Sequence, residues 1–594
     1  MPGLMLPRPA RRVADGARAA ISVAAASLGF VIDVGSAPAH AQIGGLGFGN
    51  IGSDLGVDPR VGNLRPQLER YLNRGAPLAA RPAWLFTPSL GVGIGATDNV
   101  YQIKSPRRGD VFTDIAPGFD LNGDTARVKL TLNYSPEVRV YASTSSQNRV
   151  SQFLNGRGTA VIVPDAIFVD VSASITQQSL TGGGFNQGQN QTYNRQNSVQ
   201  TTSLSITPYA QHRFGSWADG VVSYSYAKSF QGQQDNNAVT SGNNALGTSG
   251  YGALGDLSTT SESATLTSGE NLGRIRDSLA IMASQSTGSG SARSGTRSEV
   301  QNNLDFGLTH AVTLLSGLGY QQINYGSSLN NTAATSGLAN AYNYSGPTYS
   351  LGFHFVPNPD LDLTVRYGRH DGANDVTFNG QYSISARVRV MASYSNGVTT
   401  DLQQAQNQLA TTSVGSGGVV TDTATGAPVQ QNGYNATQNG VYRLKRFSAS
   451  LAFLQERDSY ALSLSNDERT ALTNSTTLLG NGIVNAGTST TSTSASLTWQ
   501  HDLSPDLSLS TSGQYGISTN SGQFVGAGNR DQRTISIIAV LTKQLSKTLN
   551  ASLSYSYIDQ TGGTNALNNG FSSTGVNGGP YTQNTLLLGL RKSF

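Results

Sequence analysis

QNTLLLGLRKSF, residues 583–594, closes the sequence. Leu586, Leu588, Leu590 and Phe594 share one parity, with Lys592 as the exception, and Gly589, Arg591 and Ser593 share the other. Chain ends usually fray into polar residues. A two-residue alternation running to a terminal aromatic predicts instead a β-strand with one apolar face, paired on both edges.

The same alternation recurs upstream. In 549–557, Leu549, Ala551, Leu553, Tyr555 and Tyr557 oppose Asn550, Ser552, Ser554 and Ser556. In 361–367, Leu361, Leu363, Val365 and Tyr367 oppose Asp362, Thr364 and Arg366. From residue 84 such segments are separated by connections of two kinds. Some are tight, as in VPDA at 163–166, PNPD at 357–360 and LSPD at 503–506. Others are long and polar, at 180–198, 231–258, 326–345, 398–440, 468–488 and 559–579. The two kinds alternate strictly along the chain. A soluble sandwich or solenoid has no reason to keep its long loops at one end. A transmembrane barrel does, with short periplasmic turns and long extracellular loops.

The expected fold is therefore all-β: an antiparallel up-and-down barrel over 84–594, of about 22 strands (range 18–24) by the even-number rule. Aromatic placement favours lipid as the neighbour of the apolar face. Strands leaving a tight turn end in Tyr224, Tyr226, Tyr320, Tyr367, Tyr394, Tyr515, Tyr555 and Tyr557. Strands approaching one end in Phe306, Phe355, Phe453, Trp499 and Phe594. Two aromatic girdles around an aliphatic band are what bilayer interfaces select. In hydrocarbon an unpaired strand edge costs several kcal/mol, so the last strand must close on the first. A terminal Phe also resembles the signal that barrel-assembly machinery reads. Lys592 departs from it, though at an interface its amine can snorkel.

Composition agrees. Charged residues are 12% of the 594, and Gly numbers 69, yet 24 Tyr and 19 Phe argue against a disordered chain. Residues 1–41 read as a secretory signal: Arg8, Arg11, Arg12 and Arg18, an apolar stretch from Ala19 to Ile32, then cleavage between Ala41 and Gln42. Its removal leaves a net charge of +2, so no nucleic-acid partner is expected. With no cysteine, disulfides, thiol nucleophiles and thiolate metal sites are excluded. No cofactor or metal motif is found. Gly47–Gly52 spells G-x-G-x-x-G but neither follows a strand nor opens a βαβ unit. Residues 42–83 read as a periplasmic tail, with lumen entry as the alternative.

Catalysis is not expected. His370, beside Asp371, is the histidine placed at the external rim, where a base and its orienting carboxylate could act. Neighbours on an extended strand point to opposite faces, which argues against a direct pair. The lumen is the better candidate site. Its polar parity carries Lys129, Arg139, Arg366, Arg387 and Arg389 against Asp114, Glu137, Asp170, Asp305 and Asp362. These could oppose one another as charged walls that select solutes, or simply pair in a wet interior. A lumen this wide needs an obstruction. Loop 398–440 is expected to fold inward and supply it.

The stretches WLFTPSLGVGIGATDNV (84–100), DVFTDIAPGFDLNG (110–123), LNYSPEVRVYA (132–142) and VPDAIFVDVSASITQQS (163–179) resemble the outer-membrane β-barrel family associated with the PEP-CTERM/exosortase system. That resemblance implies a Gram-negative outer-membrane location and a link to exopolysaccharide production or export, with polysaccharide a candidate partner beside the membrane lipid. It carries no catalytic residues. Against a channel or scaffold for exopolysaccharide stand a general diffusion porin or solute channel, and an outer-membrane hydrolase using His370.

Overall fold

The structure, a computed structural model, describes residues 83–179, 183–185, 195, 198–233, 255–289, 294–326, 341–414, 420–422, 430–432, 441–473, 475–479, 482–486, 489–521, 531–562 and 580–594. The expected leader, its cleavage point at Ala41 and Gln42, and the tail up to residue 82 lie outside them.

Twenty-two antiparallel strands close into one barrel. They are β1 (Trp84–Thr97), β2 (Asp110–Asp124), β3 (Val128–Tyr134, resumed at Glu137–Tyr141), β4 (Arg149–Ser151, resumed at Leu154–Val163), β5 (Ile167–Ser179), β6 (Ser198–Phe214) and β7 (Ala218–Gln233). There follow β8 (Asp256–Ser268), β9 (Ile275–Ser289), β10 (Gly295–Gly307), β11 (Val312–Tyr325), β12 (Tyr342–Asn358), β13 (Leu361–His370), β14 (Ala373–Ser385) and β15 (Val388–Thr399). The last seven are β16 (Tyr442–Leu454), β17 (Asp458–Ala471), β18 (Ser489–Ser504), β19 (Leu507–Ser521), β20 (Gln532–Ser546), β21 (Leu549–Gly562) and β22 (Tyr581–Ser593). Each pairs with its sequence neighbour. β22 pairs with β1 from Ser89↔Ser593 to Thr97↔Thr585, which closes the sheet without an edge. β3 is interrupted at Ser135-Pro136, where proline has no N–H for the ladder. Opposite it, β4 breaks as well, and Ser135 N–H instead donates to the Phe153 carbonyl at 2.9 Å.

The parity read from the sequence sorts residues to the two faces. Leu90, Val92 and Ile94 of β1, Leu351 of β12, and Leu586, Leu588 and Leu590 of β22 are exposed on the outside. Ser89, Gly95 and Thr97 of β1, and Gln583 and Thr585 of β22, are buried on the inside. So continuous an aliphatic exterior is a lipid-facing belt, and the fold is a transmembrane β-barrel. Where inner residues are large, glycine makes room. A Cβ on Gly95 would sit 2.4 Å from the Phe112 ring, which lies across β1. The outer face sets a test. Leu351→Arg, at a position 59% exposed in the middle of β12, is expected to destabilise the barrel by about 2–4 kcal/mol. Reversible urea unfolding in lipid vesicles would measure it.

Tight turns end β2, β4, β6, β10, β12, β14, β16, β18 and β20, and five register shifts sit immediately beside them: Val161/Val163, Phe355/Asn358, Ser383/Ser385, Asp502/Ser504 and Gln544/Ser546. A bulge at such a place adds twist as the strands leave the belt. One expectation needs correction. The two kinds of connection do not alternate strictly, because β13 and β14 are joined at the long-loop end by Asp371-Gly372 alone. Both residues have positive φ, 51° and 78°. Asp-Gly is the pair that accepts the type I′ geometry of a two-residue hairpin.

Candidate functional site

The lumen is not an open bore. The described part of loop 400–441 turns inward and opens with helix α1 (Asp401–Thr411). Its sequence, DLQQAQNQLAT, has no β-branched residue before its last position. Thr400 caps it, its Oγ1 accepting from Gln403 N–H at 3.5 Å.

The helix is held from several sides. Gln403 accepts from the Tyr325 hydroxyl of β11 at 2.8 Å and donates to Ser286 Oγ of β9 at 3.2 Å. Gln404 Oε1 accepts from Tyr442 of β16 at 3.0 Å and from Arg469 of β17 at 2.8 Å. Gln406 donates to the Leu257 carbonyl of β8 at 3.3 Å, and Arg157 of β4 donates to the Leu409 carbonyl at 2.7 Å. Leu402 and Leu409 are buried. Anchors on β4, β8, β9, β11, β16 and β17 reach α1 from several sides, and its backbone runs nearest β5–β8, so α1 is a strap inside the barrel. A second crossing accompanies it: Gly183–Phe185, from the β5–β6 loop, pairs with Gln430–Asn432 from the strap loop and lies against β19 and β20. The inward course expected of 398–440 is thus what the structure has over the described part of that loop.

The predicted lumen charges fall into local groups. Arg139 grips Asp114 through Nε and Nη2, both at 2.7 Å, and its Nη2 lies 3.2 Å from Glu137 Oε1. All three are buried, and the guanidinium also stands 4.2 Å from the Phe112 ring centre. Arg366 Nη2 and Asp305 Oδ1 are 4.0 Å apart. Asp170 accepts from Thr159 Oγ1 at 2.7 Å, and Asp362 meets His354 Nε2 at 3.0 Å. Lys129 is exposed on β3, opposite Asp124 and Thr159. Arg389 is half-buried on β15, whereas Arg387 sits in the exposed turn before that strand and not on a lumen wall. Acids and bases therefore neighbour one another on the same wall.

Of the aromatic set, Tyr224, Tyr320, Tyr367, Tyr515, Tyr555, Phe306 and Phe594 are exposed, while Tyr226, Tyr394, Tyr557, Phe355, Phe453 and Trp499 are half-buried. Near the tight turns of β16–β18 the rings of Phe453, Tyr460 and Trp499 stack in a row, 5.7 and 6.5 Å between centres. Lys592 Nζ donates to Thr548 Oγ1 at 2.8 Å, at the rim of the belt.

Of a further polar cluster the sequence singles out His370 and Asp371 alone. Arg297 and Glu299 of β10, Gln321 of β11, His370 of β13 and Asp371 of the turn meet on the inner wall near the long-loop end. Gln321 Nε2 donates to Asp371 Oδ1 at 2.7 Å, and Asp371 N–H returns to Gln321 Oε1 at 3.0 Å. Arg297 Nη2 lies 3.0 Å from Asp371 Oδ1 and 3.3 Å from Glu299 Oε2. His370 Nδ1 lies 3.4 Å from Asp371 Oδ1, so these neighbours do meet. The alternation rule fails here because Asp371 has left the strand for a left-handed turn residue. Burial alone would raise the Asp371 carboxyl, but Arg297, His370 and the Val398 N–H hold it well below the usual carboxylate range. Its contribution to stability is thus present at neutral and mildly acid pH and is lost only in strong acid. A further pair, Arg446 and Asp467, joins β16 to β17 through two bonds of 2.8 and 2.7 Å. The Asp-Gly dipeptide was the one available signal for the turn; the rest of the cluster comes from residues distant in sequence.

No family model and no curated protein matches the chain. Among solved structures it is similar to the siderophore receptor PirA from Pseudomonas aeruginosa, at 11% identity over 86% of this chain and 81% of that one, with a TM-score of 0.39. It is similar also to the ferric-catecholate import receptor Fiu from E. coli K12 in its open form, at 10% identity over 86% and 81%, TM-score 0.46. The FrpB iron transporter from Neisseria meningitidis matches at 11% identity over 86% and 82%, TM-score 0.45.

Proposed function

We propose that the chain is an outer-membrane barrel that passes or scaffolds a neutral, hydroxyl-rich polymer, the part in exopolysaccharide production or export that its resemblance implies. The observation supporting this reading is the chemistry of the inner wall. Away from the charged clusters, that wall carries cross-strand hydroxyl pairs: Ser203 with Ser229 at 2.7 Å, Ser223 with Ser263 at 2.8 Å, and both Ser463 with Ser496 and Ser465 with Ser494 at 2.6 Å. A hydroxyl donates and accepts, and it rotates to suit its partner. Paired with one another and mostly buried, these hydroxyls face the wall with neutral polar groups, so a passing sugar strips no water from a fixed charge. The grouped acid–base neighbours leave little net field to attract an ionic solute.

Deleting the gene in its native host and weighing the secreted polymer tests the reading. The expected result is a marked fall in secreted polysaccharide, restored by the intact gene. Normal polymer together with slowed uptake of small solutes would replace this reading with the diffusion porin.

A further inference from the structure

The β13–β14 hairpin is shorter than its neighbours at the long-loop end. On one side, Tyr342–Thr348 of β12 pair with β11 but have no partner on β13, whose pairing begins at Tyr349↔Arg369. On the other, β14 and β15 pair only up to Phe378↔Tyr394, so 395–399 of β15 pair with β16 alone. The wall therefore has a notch, and the Asp371 turn sits at its base.

Asp371 bridges this notch. Its Oδ2 accepts the N–H of Val398 at 2.7 Å, on the edge of β15 that β14 leaves bare. Its Oδ1 faces Gln321 and Arg297 on the other side of the notch. Its carbonyl accepts from Arg443 Nη2 of β16 at 2.6 Å. Val398 also packs with Ile323, Tyr325 and Val441. On β15, Val398 has the parity of Val388 and Val390, which face outward lower down. Here it meets inward residues of β11, so the tip of the β15–β16 pair leans into the barrel. Two residues after Val398 comes Thr400, the cap of α1. Asp371, fully buried, thus fastens the root of the strap to the wall formed by β10 and β11.

We propose that the Asp371 turn is the latch of a gate: its bonds to Val398 and Arg443 hold the strap's root in the lumen, and their loss lets helix α1 leave and the passage open. This deepens the reading of the barrel as a passage. It needs an ion-conducting lumen and is indifferent to the solute carried, so potassium chloride conductance tests it separately from polymer export.

The chain has no cysteine, which allows the strap to be locked by one engineered, crosslinked cysteine pair. Ser286→Cys with Gln403→Cys, bridged by a short bismaleimide whose linker a reductant cleaves, joins α1 to β9 where the Gln403 amide reaches Ser286 Oγ at 3.2 Å. Single barrels in planar bilayers are recorded for the parent, for Asp371→Asn, and for Asp371→Asn carrying the cysteine pair. Open-state occupancy is expected to rise about tenfold in Asp371→Asn, to return to the parent level when the cysteine pair is crosslinked, and to rise again when a reductant cleaves the crosslink. Arg443→Met, which removes one bond and leaves the turn and its carboxylate intact, is expected to give a smaller rise and serves if Asp371→Asn fails to insert. Parent-like occupancy in an inserted latch variant overturns the proposal. So does raised occupancy that persists with the strap locked.

Discussion

Replacing residues 403–437 with a short Gly-Ser linker is expected to raise single-channel conductance several-fold and to remove most closed intervals. A 22-strand barrel without internal structure encloses a broad aqueous channel. Here the interior carries α1, bonded to six strands, and the pairing of Gly183–Phe185 with Gln430–Asn432. The deletion removes the helix body and one partner of that pairing. It leaves the belt, the closing β1–β22 seam and the Asp371 turn untouched, so a folded barrel is expected. Heat-dependent mobility on a denaturing gel checks folding independently of conductance. Unchanged conductance in a folded barrel would mean that the strap does not set the bore.

The barrel was legible in the sequence because one physical rule repeats in every strand. A lipid-facing side must be apolar and a wet side need not be, so Leu586, Leu588 and Leu590 announce the outer face without reference to any other segment. Tight turns are equally local, since they are set by residues such as Asn358 and Asp360. The interior obeys no such rule. Arg297, Gln321, Asp371 and Arg443 come together because four strands curve past a notch, and no window of sequence contains them all. The lumen charges show the same limit. Parity placed Arg139 and Asp114 on the inner face, but only the β2–β3 register, in which Asp114 stands opposite Arg139, makes them partners. Arg387 shows how parity misleads at a strand end, where a turn residue continues the count without occupying the wall.

That triad yields the second large effect. Arg139→Met is expected to cost about 3–5 kcal/mol of stability, because it leaves the two buried carboxylates of Asp114 and Glu137 with Arg149 as the one neighbouring cation. Both carboxylates are nearly inaccessible, at 6% and 3% exposure, so solvent offers little relief. The guanidinium also gives up its place over the Phe112 ring, which adds a smaller loss. Combining Arg139→Met with Asp114→Asn removes the one orphaned charge and leaves Glu137 to balance Arg149. The double variant is expected to recover much of the loss, since an uncharged group of similar volume avoids the desolvation penalty. Urea titrations of the three barrels in lipid vesicles give the comparison. If the single variant matched the parent, the triad would be a loose, hydrated pairing. If the double fell further than the single, Asp114 would be held by something other than Arg139.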